Sequence, residues 1–232
     1  MNKYASVWDN LHKNFIKNHE LKYDGWLDEV DSIINDSKDT IIDLGCGVTG
    51  INSLYLIGKG KDVISCDFSE EALNNVNKYE GTNTLLFDML NKFPFDDNYT
   101  DLIIADISLH YFSNEDTKKI INEIKRVLKP NGYLIFRVNS INSTEYKEII
   151  SKGILEKEKH FFFYNNMDKR FFDKEDIRCF FKDFKFILLR EENMARWCPD
   201  KIIWKGVVCN EKDIWKIWVY LLYEFNHFIY SN

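Results

Sequence analysis

The run Asp43-Leu44-Gly45-Cys46-Gly47-Val48-Thr49-Gly50 follows a short apolar stretch, TIIDL at 40–44, and opens a helical pattern. Strand, glycine loop and helix in that order place a flexible turn at the carboxyl edge of a parallel sheet, where open α/β sheets bind their ligands. Gly45 and Gly47 can adopt backbone angles closed to other residues, and they put no Cβ in the path of a ligand approaching the main chain. Gly50 lets the following helix sit close. Read letter by letter the run is G-x-G-x-x-G, the dinucleotide fingerprint, and Asp67 ends the next strand as the acidic residue expected about 20 residues on to accept ribose hydroxyls.

Outward from the loop, apolar runs alternate with helical patterns at the spacing of βαβ units. Strands are expected at 40–44, 61–66, 83–87, 100–106 and 132–138. The runs Ile41-Ile42 and Leu134-Ile135-Phe136 are continuously apolar, as a parallel sheet covered on both faces requires. These features predict a doubly wound, Rossmann-like α/β fold. The clearest helix spans 114–129: Asn114 is the expected N-cap, Ile120, Ile121, Ile124, Val127 and Leu128 share one face, and Pro130-Asn131-Gly132 stops it. Residues 1–37 read as an aromatic, polar helical cap, 38–210 as the core, and 211–232 as an added helix, all in a single domain. A helix at 173–182 and strands near 184–190 and 201–208 complete the core. In 213–232 the apolar residues, among them Trp215, Trp218 and Phe225, gather opposite Lys216, Glu224 and His227. That pattern predicts an amphipathic helix docked on its own domain or a twin subunit, so a monomer or homodimer, and not a membrane span.

Composition narrows the classes of function. With 45% hydrophobic and 29% charged residues, 10 Gly and 3 Pro, the 232-residue chain is neither collagenous nor disordered. Its 37 acidic against 31 basic residues, a formal charge of -6, lack the cationic surplus of a general nucleic-acid binder. Five cysteines, widely spaced and without C-x-x-C, fit reduced thiols in a cytoplasmic protein. The polar N-terminus lacks the apolar core of a secretory signal. The five histidines are scattered and show no ligand spacing, so no metal is expected.

Asp43 separates two readings of the loop. A carboxylate two residues before the first glycine is awkward beside a pyrophosphate and useful beside an ammonium group. The run resembles the first motif of the class I S-adenosylmethionine-dependent methyltransferases, acidic-x-Gly-x-Gly-x-Gly, with the third glycine one residue late and Thr49 in its usual place. Asp67-Phe68-Ser69 with Ala72-Leu73 is similar to the second motif, and Phe87-Asp88-Met89 to the adenine-binding position. Asp101 to Asp106 with Leu109-His110-Tyr111-Phe112 resembles the fourth, and Leu128-Lys129-Pro130-Asn131-Gly132 the turn before the fifth strand. The likeness covers about residues 38–140, and Arg137-Val138-Asn139-Ser140 with Lys169 to Asp173 points toward a small-molecule branch near the tellurite-resistance type. The resemblance implies a seven-stranded, mostly parallel sheet whose last strand is antiparallel. It also implies S-adenosylmethionine as cofactor, with S-adenosylhomocysteine as product. Asp43, Gly45, Cys46, Gly47, Gly50, Asp67, Phe68, Asp88, Met89 and Asp106 would hold that cofactor.

Methyl transfer is an in-line displacement at an already activated carbon, so alignment and water exclusion suffice without a catalytic triad. Where an acceptor needs deprotonation, the base should project from the ends of the fourth or fifth strand. His110, Tyr111 and Arg137 are the catalytic candidates, with Arg137 able either to pair a buried carboxylate or to hold an anion. Tyr4, Trp8 and Phe161-Phe162-Phe163-Tyr164 are candidates for an aromatic lid or for core. The acceptor expected is a small molecule. An NAD-dependent oxidoreductase, or a non-catalytic S-adenosylmethionine-binding or partner-binding module, are the alternatives.

Overall fold

The computed structural model describes residues 4–18, 23–194 and 201–211. The helix expected at 213–232 lies outside them. Five parallel strands, β1 (Ile41–Leu44), β2 (Val63–Asp67), β3 (Asn83–Leu86), β4 (Thr100–Asp106) and β5 (Leu128–Asn139), form most of the main sheet. A separate three-stranded sheet holds β6 (Glu156–Glu158), β7 (Phe161–Tyr164) and β8 (Met167–Arg170). The chain then returns as β9 (Lys185–Asn193) and β10 (Ile202–Cys209), giving the order β3-β2-β1-β4-β5-β10-β9. β10 runs antiparallel to both neighbours, so the last strand is the reversed one, as expected. Strand order reverses between β1 and β4, which sets the crevice at their carboxyl ends.

Helices α1 (Ala5–Asn18), α2 (Asp31–Asp36), α3 (Ile51–Gly58), α4 (Glu70–Val76), α5 (Asn114–Val127), α6 (Thr144–Ser151) and α7 (Lys174–Phe180) surround the sheets. Every residue of β1 is buried, since both sheet faces are covered. Ile42 and Leu44 pack with Ile120, Ile124 and Ile177 of α5 and α7, while Ile41 packs with Ile34 and Leu56 of α2 and α3. The period of two along a strand thus assigns each β1 side chain to one helical layer.

The N-cap of α5 is Ser113, whose Oγ accepts from the Asp116 amide at 3.1 Å, one residue before the expected Asn114. The helix ends at Val127, and Pro130-Asn131-Gly132 falls inside β5. There the pairing jumps from Thr100 opposite Leu128 to Leu102 opposite Tyr133. α6 and the small sheet were not anticipated. β6 is three charged residues long, and the β7–β8 turn is Asn165-Asn166, both at positive φ as a two-residue hairpin loop of the primed type requires. In the aromatic run Phe161 and Phe162 are both buried, Phe162 beside Ile149 and Phe171, and Phe163 is exposed.

Gly206, in the middle of β10, is needed for close approach. A Cβ there would lie 2.3 Å from Cζ of Phe136, whose ring stacks on Phe181 at 4.4 Å. Gly206→Ala should cost about 1–3 kcal/mol through overpacking, read from the urea midpoint. An unchanged midpoint would contradict this packing.

Candidate functional site

A cavity of about 1020 Å³ opens at the carboxyl ends of β1, β2 and β4, roofed by α1 and by the small sheet. Its floor is the glycine loop. Gly45 has φ +79°, and a Cβ on it would fall 2.4 Å from Cβ of Ser108 after β4, so the loop lies flat against that turn. Ser108 in turn donates to the Leu44 carbonyl at 2.6 Å. Gly47 has φ +63° and meets nothing within 4 Å, so the backbone there faces open cavity. This is the cradle a nucleoside-bearing ligand needs: exposed main chain with no side chain above it.

Asp67 clasps the loop from β2. Its Oδ2 accepts the Gly47 amide and its Oδ1 the Ser69 amide, each at 2.9 Å. The carboxylate lines the cavity and is nearly buried, which pushes its pKa up, partly offset by the two amides and by His12. Cys46, Phe68, Asp88, Met89 and Asp106, named from the sequence as cofactor residues, also line the cavity, together with Gly45 and Gly47. Burial drives the Cys46 thiol well above its ordinary range, so the residue offers its backbone and no thiolate.

Four of the expected residues, Asp43, Gly50, His110 and Arg137, lie outside the lining for reasons of direction. Asp43 sits within β1 on the α3 side and is fully buried, its Oδ2 accepting from Ser53 Oγ at 2.7 Å while Oδ1 has no partner. Gly50, in the left-handed region as N-cap of α3, abuts Val76 of α4, and Thr49 takes its place in the lining. His110 is 1% exposed and outside the lining, with Nδ1 unpartnered and its ring 4.2 Å from that of Tyr111. Burial holds its imidazole neutral, far below the usual pKa. Tyr111 does line the cavity, as a phenol kept protonated by burial.

Arg137 is also outside the lining. It is 1% exposed and grips Asp106 with two parallel bonds, Nε to Oδ1 at 2.7 Å and Nη2 to Oδ2 at 2.8 Å. Nη1 reaches Asp24 at 2.8 Å and the guanidinium lies 4.2 Å from the Trp26 ring centroid. Of the two roles open to it, the structure selects the buried ion pair, which aims the cavity-lining Asp106.

Of the residues offered as lid or core, Tyr4, Trp8 and Phe161 line the cavity, and the polar members of the roof are the ones sequence reasoning missed. His12 of α1 lines the cavity and meets Ser69 Oγ at 3.0 Å, and the same Oγ donates to Asp9 at 2.6 Å. Trp8 crosses Tyr111 edge-on at 5.0 Å. From the small sheet come Lys157, Glu158, Phe161 and Asp168, and from just before β10 comes Lys201. The aromatic residues were offered as a lid, whereas His12, Lys157, Glu158, Asp168 and Lys201 carry no local spacing that names their destination. Among the described residues, the scattered histidines yield one ligand-type grouping, His160 with Asp173 and Asp176. Those carboxylates already hold Lys159 and cap α7, and His160 meets Asp176 at 2.8 Å.

The burial of Asp43 has a pH signature. Burial, then repulsion from Asp106 and Asp67 against the Ser53 bond, pushes its carboxyl up to about 7. The folded chain therefore keeps a proton that the unfolded chain loses near pH 4, and Asp43 contributes less stability as pH rises from 4 to 7. Relative to the wild type, Asp43→Asn should gain stability across that window, read from urea unfolding at both ends; a pH-independent difference would refute the assignment.

Sheet order, glycine loop and cavity define an open α/β protein whose cavity lies at its topological switch point. Residues 42–136 match the family described as Methyltransferase domain. A putative methyltransferase of Bacillus subtilis, YqeM, is 34% identical over 142 residues, 59% of this chain and 54% of that protein. A probable S-adenosyl-L-methionine-dependent methyltransferase of Haemophilus influenzae, TehB, is 35% identical over 111 residues, 46% of this chain and 38% of that protein. The chain thus spans about half the length of the Bacillus relative. A solved SAM-dependent methyltransferase from Methanosarcina mazei shares the fold at TM-score 0.70 and 19% identity, covering 79% of this chain and 98% of its own. Residues 42–136 are thus a methyltransferase domain by sequence, and the likeness to the Methanosarcina structure shows the same fold. No helix among the described residues is long and apolar enough to cross a membrane.

Proposed function

We propose that the protein transfers a methyl group from S-adenosylmethionine to a small-molecule acceptor in the cytosol. The observation that carries this reading is the clasp of Asp67 on the Gly47 amide beside main chain that faces open cavity. Gly45 to Thr49 would pass under the cofactor, Asp67 would accept its ribose hydroxyls, and Phe87 to Met89 would flank its base. When bound, S-adenosylmethionine supplies a methyl carbon activated by the sulfonium; the acceptor's lone pair bonds to that carbon as the carbon–sulfur pair leaves with sulfur.

The protein's share is alignment and dryness. Ser108 and Asp106, the latter held by Arg137, fix the wall after β4, while residues of α1 and the small sheet cover part of the cavity. The cavity, at the upper end of the ~300–1,000 Å³ usual for ligand sites, has room for cofactor and a small acceptor together. Buried, unpaired Cys46, Cys66 and Cys209 suit a reducing compartment.

Titration calorimetry tests the reading: S-adenosylmethionine and S-adenosylhomocysteine should bind and NAD should not. NAD binding in their place would restore the oxidoreductase alternative, which the methyltransferase descriptions of the matched proteins disfavour. An acceptor screen read by S-adenosylhomocysteine release tests turnover, and binding without turnover on any acceptor would favour the non-catalytic module.

A further inference from the structure

Resting on the cofactor reading above, we infer that His12 of α1 is a further cofactor-binding residue, whose imidazole Nε2 accepts one ribose hydroxyl of S-adenosylmethionine beside Asp67. The hydrogen bonds around Ser69 fix which ring nitrogen carries the proton. Ser69 Oγ has one hydrogen and donates it to Asp9 Oδ1 at 2.6 Å, since an ionised carboxylate can only accept. The same oxygen accepts the Ala72 amide at 3.2 Å as N-cap of α4. Its 3.0 Å contact with His12 Nδ1 is therefore a bond donated by the imidazole. In a neutral ring that leaves Nε2 a bare acceptor.

The ring is neutral at neutral pH, because burial lowers its pKa against the pull of Asp67, Asp9 and Glu71. Lys13, the next residue of α1, is paired with Glu71 at 3.7 Å. Among the described residues Nε2 has no hydrogen-bond partner, and it is not one of their sealed, unpartnered atoms. His12 lines the cavity and keeps 7% of its surface exposed, so the open space that Nε2 reaches is the cavity. Trp8 backs the imidazole, with ring centroids 5.4 Å apart, and meets Phe68 edge-on at 6.4 Å.

The place of the ring selects the ribose. Ser69, whose hydroxyl holds the imidazole, gives its amide to Asp67 Oδ1 at 2.9 Å, so His12 and Asp67 flank one corner of the cavity. Each Asp67 oxygen already accepts an amide, from Ser69 or from Gly47. A ribose brings two neighbouring hydroxyls, and two acceptors of different kind serve them, the carboxylate for one and the imidazole for the other. A neutral acceptor does this without placing a second negative charge beside Asp67. α1 is then part of the cofactor site as well as part of the roof.

A ligand–variant cycle tests the inference. Calorimetry with S-adenosylhomocysteine on the wild type comes first, and no binding there would sink the cofactor reading itself. His12→Phe, with His12→Leu as a second variant, removes the acceptor; either one, shown folded by near-UV circular dichroism, should bind S-adenosylhomocysteine about three- to tenfold more weakly, the worth of one neutral hydrogen bond. The 2′-deoxy and 3′-deoxy forms of S-adenosylhomocysteine then locate the loss. For the form that lacks the hydroxyl held by His12, wild type and variant should differ by less than about twofold, and for the other form the full difference should remain. A folded variant that binds S-adenosylhomocysteine as tightly as the wild type, or one that loses the same factor with all three ligands, would overturn the inference and leave the cofactor reading standing.

Discussion

Arg137→Ala is expected to remove about 3–5 kcal/mol of folding stability, the cost typical of breaking a buried ion pair from one side. The arginine side chain is 1% exposed and that of Asp106 is 5% exposed, so Asp106 would lose both of its guanidinium bonds with little water to replace them. Trp26 would lose the nearer of the two cations over its ring, Lys205 remaining. Arg137→Lys should recover only part of the loss, because one ammonium cannot reproduce the two parallel bonds to Asp106 and the third to Asp24. Urea unfolding measures the effect. A loss below about 1 kcal/mol would show that the pair is not the buried, dry contact described here. The result also separates the two roles weighed for this residue: an arginine that only held an anionic acceptor would, when replaced, leave stability intact and raise KM.

Asp67→Ala should weaken S-adenosylmethionine binding by roughly ten-fold to several hundred-fold. Each hydrogen bond to a charged group contributes about 1.5–3 kcal/mol, each 1.4 kcal/mol is a factor of ten, and water restores part of what is lost. The geometry adds a second route to the same outcome. Both oxygens of Asp67 already hold backbone amides, at Gly47 and Ser69, so the substitution also frees the loop that would lie under the cofactor. Asp67→Asn keeps one acceptor oxygen and should fall between the wild type and alanine. Calorimetry on variants shown to be folded by near-UV circular dichroism decides the matter, and unchanged affinity for Asp67→Ala would remove the main support for the binding mode.

The two residues illustrate how far the sequence could be read. The place of Asp67 at the cavity was legible because it is last in a buried strand about 20 residues after a glycine loop, and strand ends are local properties. The same holds for Gly45, Gly47, Phe68 and the Asp88-Met89 pair, all of which line the cavity. Asp43 has an equally visible spacing, yet the alternation of β1 turns its side chain with Ile41 toward the α3 layer, under the loop instead of over it. His110 and Arg137 stand at the carboxyl ends of the right strands, but being near a sheet edge does not say whether a side chain faces the crevice or the core.

By itself, then, the sequence determined the strand order's starting point, the glycine loop, the acidic clasp and the α5 face, because periodicity, glycine placement and capping act over a few residues. Tertiary structure alone decided who shares the cavity. Arg137 finds Asp24 across 113 residues and Tyr4 finds Asp168 across 164, and the small sheet that carries Asp168 is too short and too charged to announce itself. Such pairings depend on which elements the topology brings together and on which side of each is dry, and neither quantity is written in local spacing.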